Sequence, residues 1–246
     1  MAEMNKFILS KILPIISKNK CITICDYGCG NGELLEKLQK ENQNLNLFGI
    51  DYFNKFKIET PKNTTVKYVD RENDEFPKLQ KDNKFDMIIS TFALHHFQYP
   101  VSEIQLLSDL IKPNGFLIFI DFVFQNDSRS KITKNISSFI EEMGASIKGQ
   151  YHRHHYTLAE AKDLLKAIPS EICEAFEEIN ELSEDDKKEN SEHKLKRNSI
   201  IQKNIKEKAP DFWKEVWIPF FEQERILIEK NGIDYSSLFL IYAKRK

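Results

Sequence analysis

Apolar runs bounded by turn residues divide the first half of the chain into an alternating series. Strands are predicted near 21–27, 45–50, 65–69, 85–91 and 115–123, with helices near 32–41 and 101–112 and a short one near 75–80. Strand, helix and strand in repetition imply an α/β fold: a doubly wound, mostly parallel sheet with right-handed crossovers, whose ligand lies beyond the carboxyl ends of the strands. A last apolar run, YSSLFLIYAKRK at 235–246, predicts one further strand. Near the start, FILSKILPII at 7–16 is interrupted by Lys11 and Pro14 and lacks a small-residue cleavage site, so it predicts a packing helix rather than a signal or a membrane span.

The stretch between the fifth strand and the last is longer than such a sheet needs. Helical periodicity covers 131–143 and 157–168. The segment 171–231 is rich in Glu, Lys and Asn, with apolar residues at helical spacing (Ile200, Ile201, Ile205; Phe212, Trp213, Val216, Trp217; Phe220, Phe221). The expected organisation is therefore a core over 1–124, a helical insertion or cap over 125–234, and a final strand of the core sheet over 235–246. The run SEDDKKENSEHKLKR at 183–197 mixes both signs of charge without interleaved aromatics, which suits a solvated helix face better than a base-stacking surface.

Composition agrees with one α/β enzyme-sized chain. Its 246 residues are 41% hydrophobic and 30% charged, and a formal charge of −2 supplies no global pull toward nucleic acid or a membrane. The four cysteines (21, 25, 29 and 173) form no disulfide grid, and Cys21 and Cys25 in the first strand and Cys29 in the loop match no zinc spacing, which points to buried thiols in a reducing cytoplasm.

The chemistry concentrates in residues 21–52, CITICDYGCGNGELLEKLQKENQNLNLFGIDY. Gly28, Gly30 and Gly32 follow an apolar strand and open a helix. They let a ligand lie against the main chain while the helix turns its free N–H groups toward it. Asp51 ends the next strand, where an acid hydrogen-bonds ribose hydroxyls in nucleotide-binding α/β sheets. A dinucleotide fingerprint would place its third glycine deeper in the helix, and no Gly-Lys-Ser/Thr follows the loop. Neither a dinucleotide nor a triphosphate cradle is supported.

The run DYGCGNGELL resembles the first motif of class I S-adenosylmethionine-dependent methyltransferases, and the resemblance continues in order. GIDY stands at 49–52, YVDRENDEFP at 68–77, FDMIISTFALHHF at 85–97 and LLSDLIKPNGFLIFID at 106–121. It implies a seven-stranded Rossmann-like methyltransferase sheet and S-adenosyl-L-methionine as cofactor. By the same resemblance, Asp26 helps hold the methionine ammonium. The loop Gly28, Cys29, Gly30, Asn31 and Gly32 lines the amino-acid end, and Asp51 takes the ribose hydroxyls. Tyr52 lies against the adenine, Asp70 with Arg71 beside it faces the adenine amino group, and Ser90, Thr91 and Phe92 flank the methionine. The final run resembles the family's seventh strand, which enters antiparallel.

Methyl transfer needs a base only when the acceptor carries a proton at neutral pH. Two groups of residues are candidates: His95 and His96 after the fourth strand, and the segment Tyr151 to Tyr156, in which His155 and Tyr156 are the expected catalytic pair and Arg153 suits a carboxylate or phosphate. No metal site is expected there, because adjacent residues such as His154 and His155 point apart. The expected function is methylation of an O or N atom of a small-molecule acceptor, by a monomer or homodimer without nucleic-acid or membrane partners. Two alternatives stand beside it. One is a methyltransferase acting on tRNA or protein, although the N/D-P-P-Y tetrapeptide is replaced by STFALHH. The other is a non-catalytic cofactor-binding partner subunit, with 212–221 as its interface.

Overall fold

Parallel strands in the middle of a sheet are covered on both faces and are therefore apolar throughout, and this chain builds its core that way. In the computed structural model, which describes residues 2–61, 65–82, 84–147, 151–179 and 183–246, β1 (Thr23–Tyr27) and β4 (Phe85–Thr91) are buried along nearly their whole length. They pair in parallel with each other. β1 also pairs in parallel with β2 (Asn46–Asp51), β2 with β3 (Lys67–Asp70), and β4 with β5 (Ile111–Phe122). With β6 (Ser170–Ile179) and β7 (Ser237–Arg245) the sheet has seven strands in the order β3-β2-β1-β4-β5-β7-β6. Chain order reverses outward from β1 and β4, so the crevice between their carboxyl ends is the place where such a sheet binds ligands.

The helices are α1 (Ala2–Asn19), α2 (Glu33–Glu41), α3 (Phe53–Phe56), α4 (Glu75–Asp82), α5 (Pro100–Leu110), α6 (Arg129–Ile147), α7 (Leu158–Leu164), α8 (Glu184–Lys208) and α9 (Asp211–Asn231). Short 3₁₀ turns cover Leu94–His96 and Leu165–Ala167. α2 buries Leu34, Leu35 and Leu38 along one face, with Glu33 and Glu36 in its first turn and Lys40 in its last, each complementing the helix dipole.

Two compact units share the chain. The first comprises 1–121, 158–177 and 239–246; the second comprises 122–157 and 178–238. The first unit thus reaches into the segment expected to be a helical insertion. Residues 158–167 form α7 and its 3₁₀ extension, and 170–179 form a strand where helical spacing had been read. β6 lies at the edge of the sheet and alternates half-buried with exposed glutamates, so neither an apolar run nor a clean two-residue period marks it.

In the second unit the α6 face carries polar residues into the interior. Ser137 Oγ donates to Glu224 Oε1 at 2.5 Å, and Asn198 Nδ2 donates to Glu224 Oε2 at 2.8 Å and to the Phe221 carbonyl at 2.7 Å. Gln202 then donates to Asn198 Oδ1 at 2.9 Å. Lys134, fully buried, ends on the Val123 carbonyl at 2.6 Å. α8 opens with a capping box in which Ser183 and Asp186 satisfy each other's backbone N–H.

Candidate functional site

The glycine loop is held by the strands beside it. Gly28 N donates to the Ile50 carbonyl at 2.8 Å, Cys29 N to the same oxygen at 3.3 Å, and Gly32 N to the Cys29 carbonyl at 2.9 Å. The three glycines then part ways. A Cβ at Gly28 would come within 2.5 Å of Ala93 Cβ, and one at Gly32 would sit 2.8 Å from Tyr68 Cζ, so both positions are glycine because a neighbouring side chain occupies the space. Gly30, at φ +54°, has nothing within 4 Å of where a Cβ would stand. Only there does the loop face open space, which is the cradle a bound ligand requires.

Asp51 clasps that cradle. Its Oδ2 accepts from Gly30 N at 2.7 Å and its Oδ1 from Tyr52 N at 2.7 Å. Each carboxylate oxygen can accept a second hydrogen bond, which leaves capacity for a ligand diol. Burial raises the Asp51 carboxyl, against the lowering effect of those two amides. Asp26, 1% exposed, lies at the end of β1, and its Oδ1 has no hydrogen-bond partner among the described residues. Burial, and then the neighbouring Asp51, push it up to about 8. A cationic group of a ligand is the natural complement to such a carboxyl. Ser90 Oγ, also buried, is likewise without a hydrogen-bond partner among the described residues. Phe92 takes a positive φ of 54° and donates its N–H to the Ile120 carbonyl at 2.8 Å. Thr91, half-buried, pairs with Ile120 across β4 and β5. Asn31 is exposed, and its side chain donates to Glu33 at 3.2 Å. Burial pushes the Cys29 thiol well up, so it stays protonated and packs rather than reacts.

Other expected contacts also have partners within the fold. Both Asp70 oxygens accept main-chain N–H groups, from Asn54 at 2.7 Å and Glu72 at 2.9 Å. Arg71 Nε donates to Tyr27 Oη at 2.9 Å, while the Tyr27 hydroxyl donates to Glu103 at 2.5 Å and the Arg71 guanidinium lies over the Phe76 ring at 4.1 Å. Arg71 therefore ties β1 to α5. Tyr52, half-buried, meets the Phe56 ring edge-on at 6.1 Å, with the Lys55 ammonium over its face at 5.3 Å.

Sequence reasoning missed a pair at the tips of β4 and β5. His95 Nδ1 stands 2.9 Å from both carboxylate oxygens of Asp121, and the His95 backbone N–H reaches Oδ2 at 3.3 Å. Asp121 is 1% exposed and His95 6%. The available signal was an acid at a strand end, the same that singled out Asp51 and Asp70. The exposed His96 ring stacks on His95 at 4.1 Å between centroids. The turn carrying both histidines packs on the glycine loop: Ala93 abuts Gly28, and the Phe97 ring meets Tyr27 edge-on at 5.7 Å.

His155 and Tyr156 belong to the second unit, where both are buried. The Tyr156 carbonyl accepts from Phe124 N at 2.9 Å, its ring carries the Arg153 guanidinium at 3.9 Å, and the His155 ring packs on Phe122 at 5.3 Å. His154 Nδ1 pairs with Glu142 at 2.8 Å, and Glu141 gathers Lys194 and Arg197, with His152 at 3.8 Å. The YHRHHY segment is thus bound into its own unit by stacking and ion pairs.

A family model described as a methyltransferase domain matches residues 2–168. The chain belongs to the methyltransferase-domain family. Its sheet is that of class I S-adenosylmethionine-dependent methyltransferases. Curated relatives include the mitochondrial ubiquinone biosynthesis O-methyltransferase of Dictyostelium discoideum, 25% identical over 65% of this chain and 52% of that protein. The ubiquinone biosynthesis O-methyltransferase of Colwellia psychrerythraea is 29% identical over 55% and 53%. The chain spans about half the length of these relatives. In fold it is similar to a cyclopropane-fatty-acyl-phospholipid synthase-like protein of Lactobacillus casei (TM-score 0.63, 14% identity, 94% of this chain and 88% of that one). A Bacillus halodurans putative methyltransferase also superposes (TM-score 0.53, 13% identity, 96% and 98%). Among the described residues, no helix of this methyltransferase-domain protein is long and apolar enough to cross a membrane.

Proposed function

We propose that the chain transfers a methyl group from S-adenosylmethionine to an oxygen or nitrogen of a small-molecule acceptor. The observation that carries this is the Gly30–Asp51 clasp, an open main-chain cradle closed by a carboxylate at the tip of the neighbouring strand. The names of the two O-methyltransferase relatives support the small-molecule class and oxygen as the acceptor atom.

The residues present fit the cofactor. Gly30 leaves room at the loop, Asp26 offers an unpartnered buried carboxyl oxygen to an ammonium, and Asp51 keeps acceptor capacity for a ribose diol. When bound, S-adenosylmethionine supplies a methyl group on a positively charged sulfur that departs as a neutral thioether. Asp51 would orient the ribose, Asp26 would hold the amino-acid end at the open face of Gly30, and Ser90, Thr91 and Phe92 would flank the methionine. Positioning of this kind supplies much of the rate of an in-line displacement. The turn bearing His95 and His96 packs on the loop, which makes His95 the preferred proton acceptor. His155 and Tyr156 stand second to it: both are buried, against Phe122 for the one ring and the Arg153 guanidinium for the other.

The test is Asp51→Ala with calorimetric titration of S-adenosylhomocysteine. The variant loses two charge-assisted hydrogen bonds to the ligand, each worth on the order of 1.5–3 kcal/mol, so affinity should fall about a hundredfold or more. An unchanged dissociation constant would remove Asp51 from the site. Transfer of label from S-adenosylmethionine into a metabolite extract, and not into total RNA, identifies the acceptor class.

A further inference from the structure

We propose that the outer face of α9 is the interface of a homodimer, in which α9 of one copy packs antiparallel on α9 of the other about a two-fold axis at Val216. A helix in water owes most of its stability to an apolar face packed against something. Elsewhere in the α8–α9 pair that support is present, and Asn198, Phe221, Glu224 and Ile228 are buried. Over residues 199–220, which end α8 and begin α9, only Gln202 is. Apolar side chains abound there nevertheless. Phe212, Val216 and Phe220, spaced by four and so on one face, are 64%, 52% and 46% exposed, and Ile226 extends the stripe at 42%. The stripe also lies past residues 2–168, the span matched by the methyltransferase-domain model, so it belongs to an addition to that domain.

Symmetry, area and charge select a second copy as the occupant. The even spacing makes the stripe complementary to itself: a two-fold axis through Val216 sets each Phe212 on the partner's Phe220 and Val216 on its own counterpart, as in closed isologous dimers. Interlocking of such i, i+4 ridges is the commonest way helices pack. With about 150–250 Å² for a whole aromatic side chain, the exposed fractions of these four residues amount to roughly 400 Å² of apolar surface. Homodimer interfaces are about 65% apolar, so each copy buries about 600 Å² and the pair about 1,200 Å², which enters the range of stable complexes. Charge sets the orientation. Lys206, Lys208 and Lys214 outnumber Glu207 and Asp211 at the Phe212 end of the stripe, whereas Glu222 and Glu224 outnumber Arg225 toward Ile226. Antiparallel pairing places each excess against its opposite, and parallel pairing would place like on like. A bilayer is the poorer match, because Glu215 and Glu222, seven residues apart on α9, border the stripe and would face anionic headgroups.

Sedimentation velocity on the full chain is the first measurement, at concentrations up to about 100 µM, above the micromolar constants typical of weak interfaces. The wild type should sediment at twice the 28.9 kDa of one chain. Val216→Glu puts two like charges on the axis and should raise the dimer dissociation constant about a hundredfold or more, while the far-ultraviolet circular dichroism stays that of the wild type. The second measurement is oxidative cross-linking in a Cys173→Ser background, which removes the exposed thiol. A disulfide needs Cβ atoms about 3.5–4.5 Å apart, so Val216→Cys on the axis should join two copies. Phe212→Cys alone and Phe220→Cys alone should not, but a mixture of those two chains should. A wild type that stays monomeric overturns the proposal, whether it binds phosphatidylcholine–phosphatidylglycerol vesicles through the stripe or not. So does a dimer that Val216→Glu leaves intact, which would lie on another surface. Equal cross-linking at 212, 216 and 220 alone means parallel pairing and overturns the two-fold axis at Val216. Should Val216→Glu fail to fold, the cysteine pattern on the nearly isosteric Val216→Cys protein decides.

Discussion

Two clusters of polar groups, one in each unit, are used in opposite ways. In the sheet unit they gather at strand ends, where Asp26, Asp51 and Ser90 retain unused hydrogen-bonding capacity. In the helical unit the cluster around Glu224 lies inside and its members engage one another, with Glu224 linking Ser137 on α6 to Asn198 on α8. Unused capacity marks a place for a ligand, while a mutually engaged buried network specifies how helices pack. The same residue types therefore predict loss of binding in one cluster and loss of stability in the other.

The largest effect outside the cofactor clasp should come from Glu224→Ala. It strands the Ser137 hydroxyl and the Asn198 amide, and at about 1–3 kcal/mol for each unsatisfied group the loss is about 3 kcal/mol. Urea unfolding measures it, and S-adenosylhomocysteine affinity extrapolated to the folded protein should not change. A fall in affinity as large as that of Asp51→Ala would erase the contrast between the units.

Next come two glycines of the same loop. Gly32→Ala collides with Tyr68 in a left-handed backbone and should cost about 2 kcal/mol of stability. Gly30→Ala meets only the left-handed penalty of about 1 kcal/mol. Its Cβ enters the cradle, so ligand affinity should drop about tenfold or more. Melting and calorimetry on both variants separate packing glycine from binding glycine; identical profiles would merge the two roles.

A further effect is in pH. Asp26 rises from 3.8 in the unfolded chain to about 8 when folded, so between these values the folded protein holds a proton that the unfolded chain has released. Its contribution is complete below about pH 4 and declines as pH rises toward 8. The wild-type melting temperature should consequently fall more between pH 5.5 and 8.5 than that of Asp26→Asn. Parallel curves for the two proteins would show that Asp26 does not carry this proton.

The sequence made the sheet legible where burial on both faces leaves a continuous apolar run, as in LNLFGI and FDMII, and where glycines punctuate it. β6 escaped because an edge strand bearing Glu171, Glu174 and Glu177 offers neither an unbroken run nor a strict alternation. Within the site, Asp51 was legible from its distance to the loop. The reason Gly32 must be glycine was not, because it lies in Tyr68, a residue of another strand. Asp70 and Arg71 show the converse. Their position after β3 was legible, while the partners they have within the fold, the Asn54 and Glu72 amides and Tyr27, were not.

The glutamates that hid β6 also have a consequence for association. An open sheet edge offers unpaired main-chain groups to any extended segment that comes near, and the two outer strands here discourage that in different ways. β3 is only four residues long, too short to template much. β6 is longer, and its row of negative side chains would meet an identical row on a second molecule, so like-charge repulsion opposes edge-to-edge growth into fibrous assemblies.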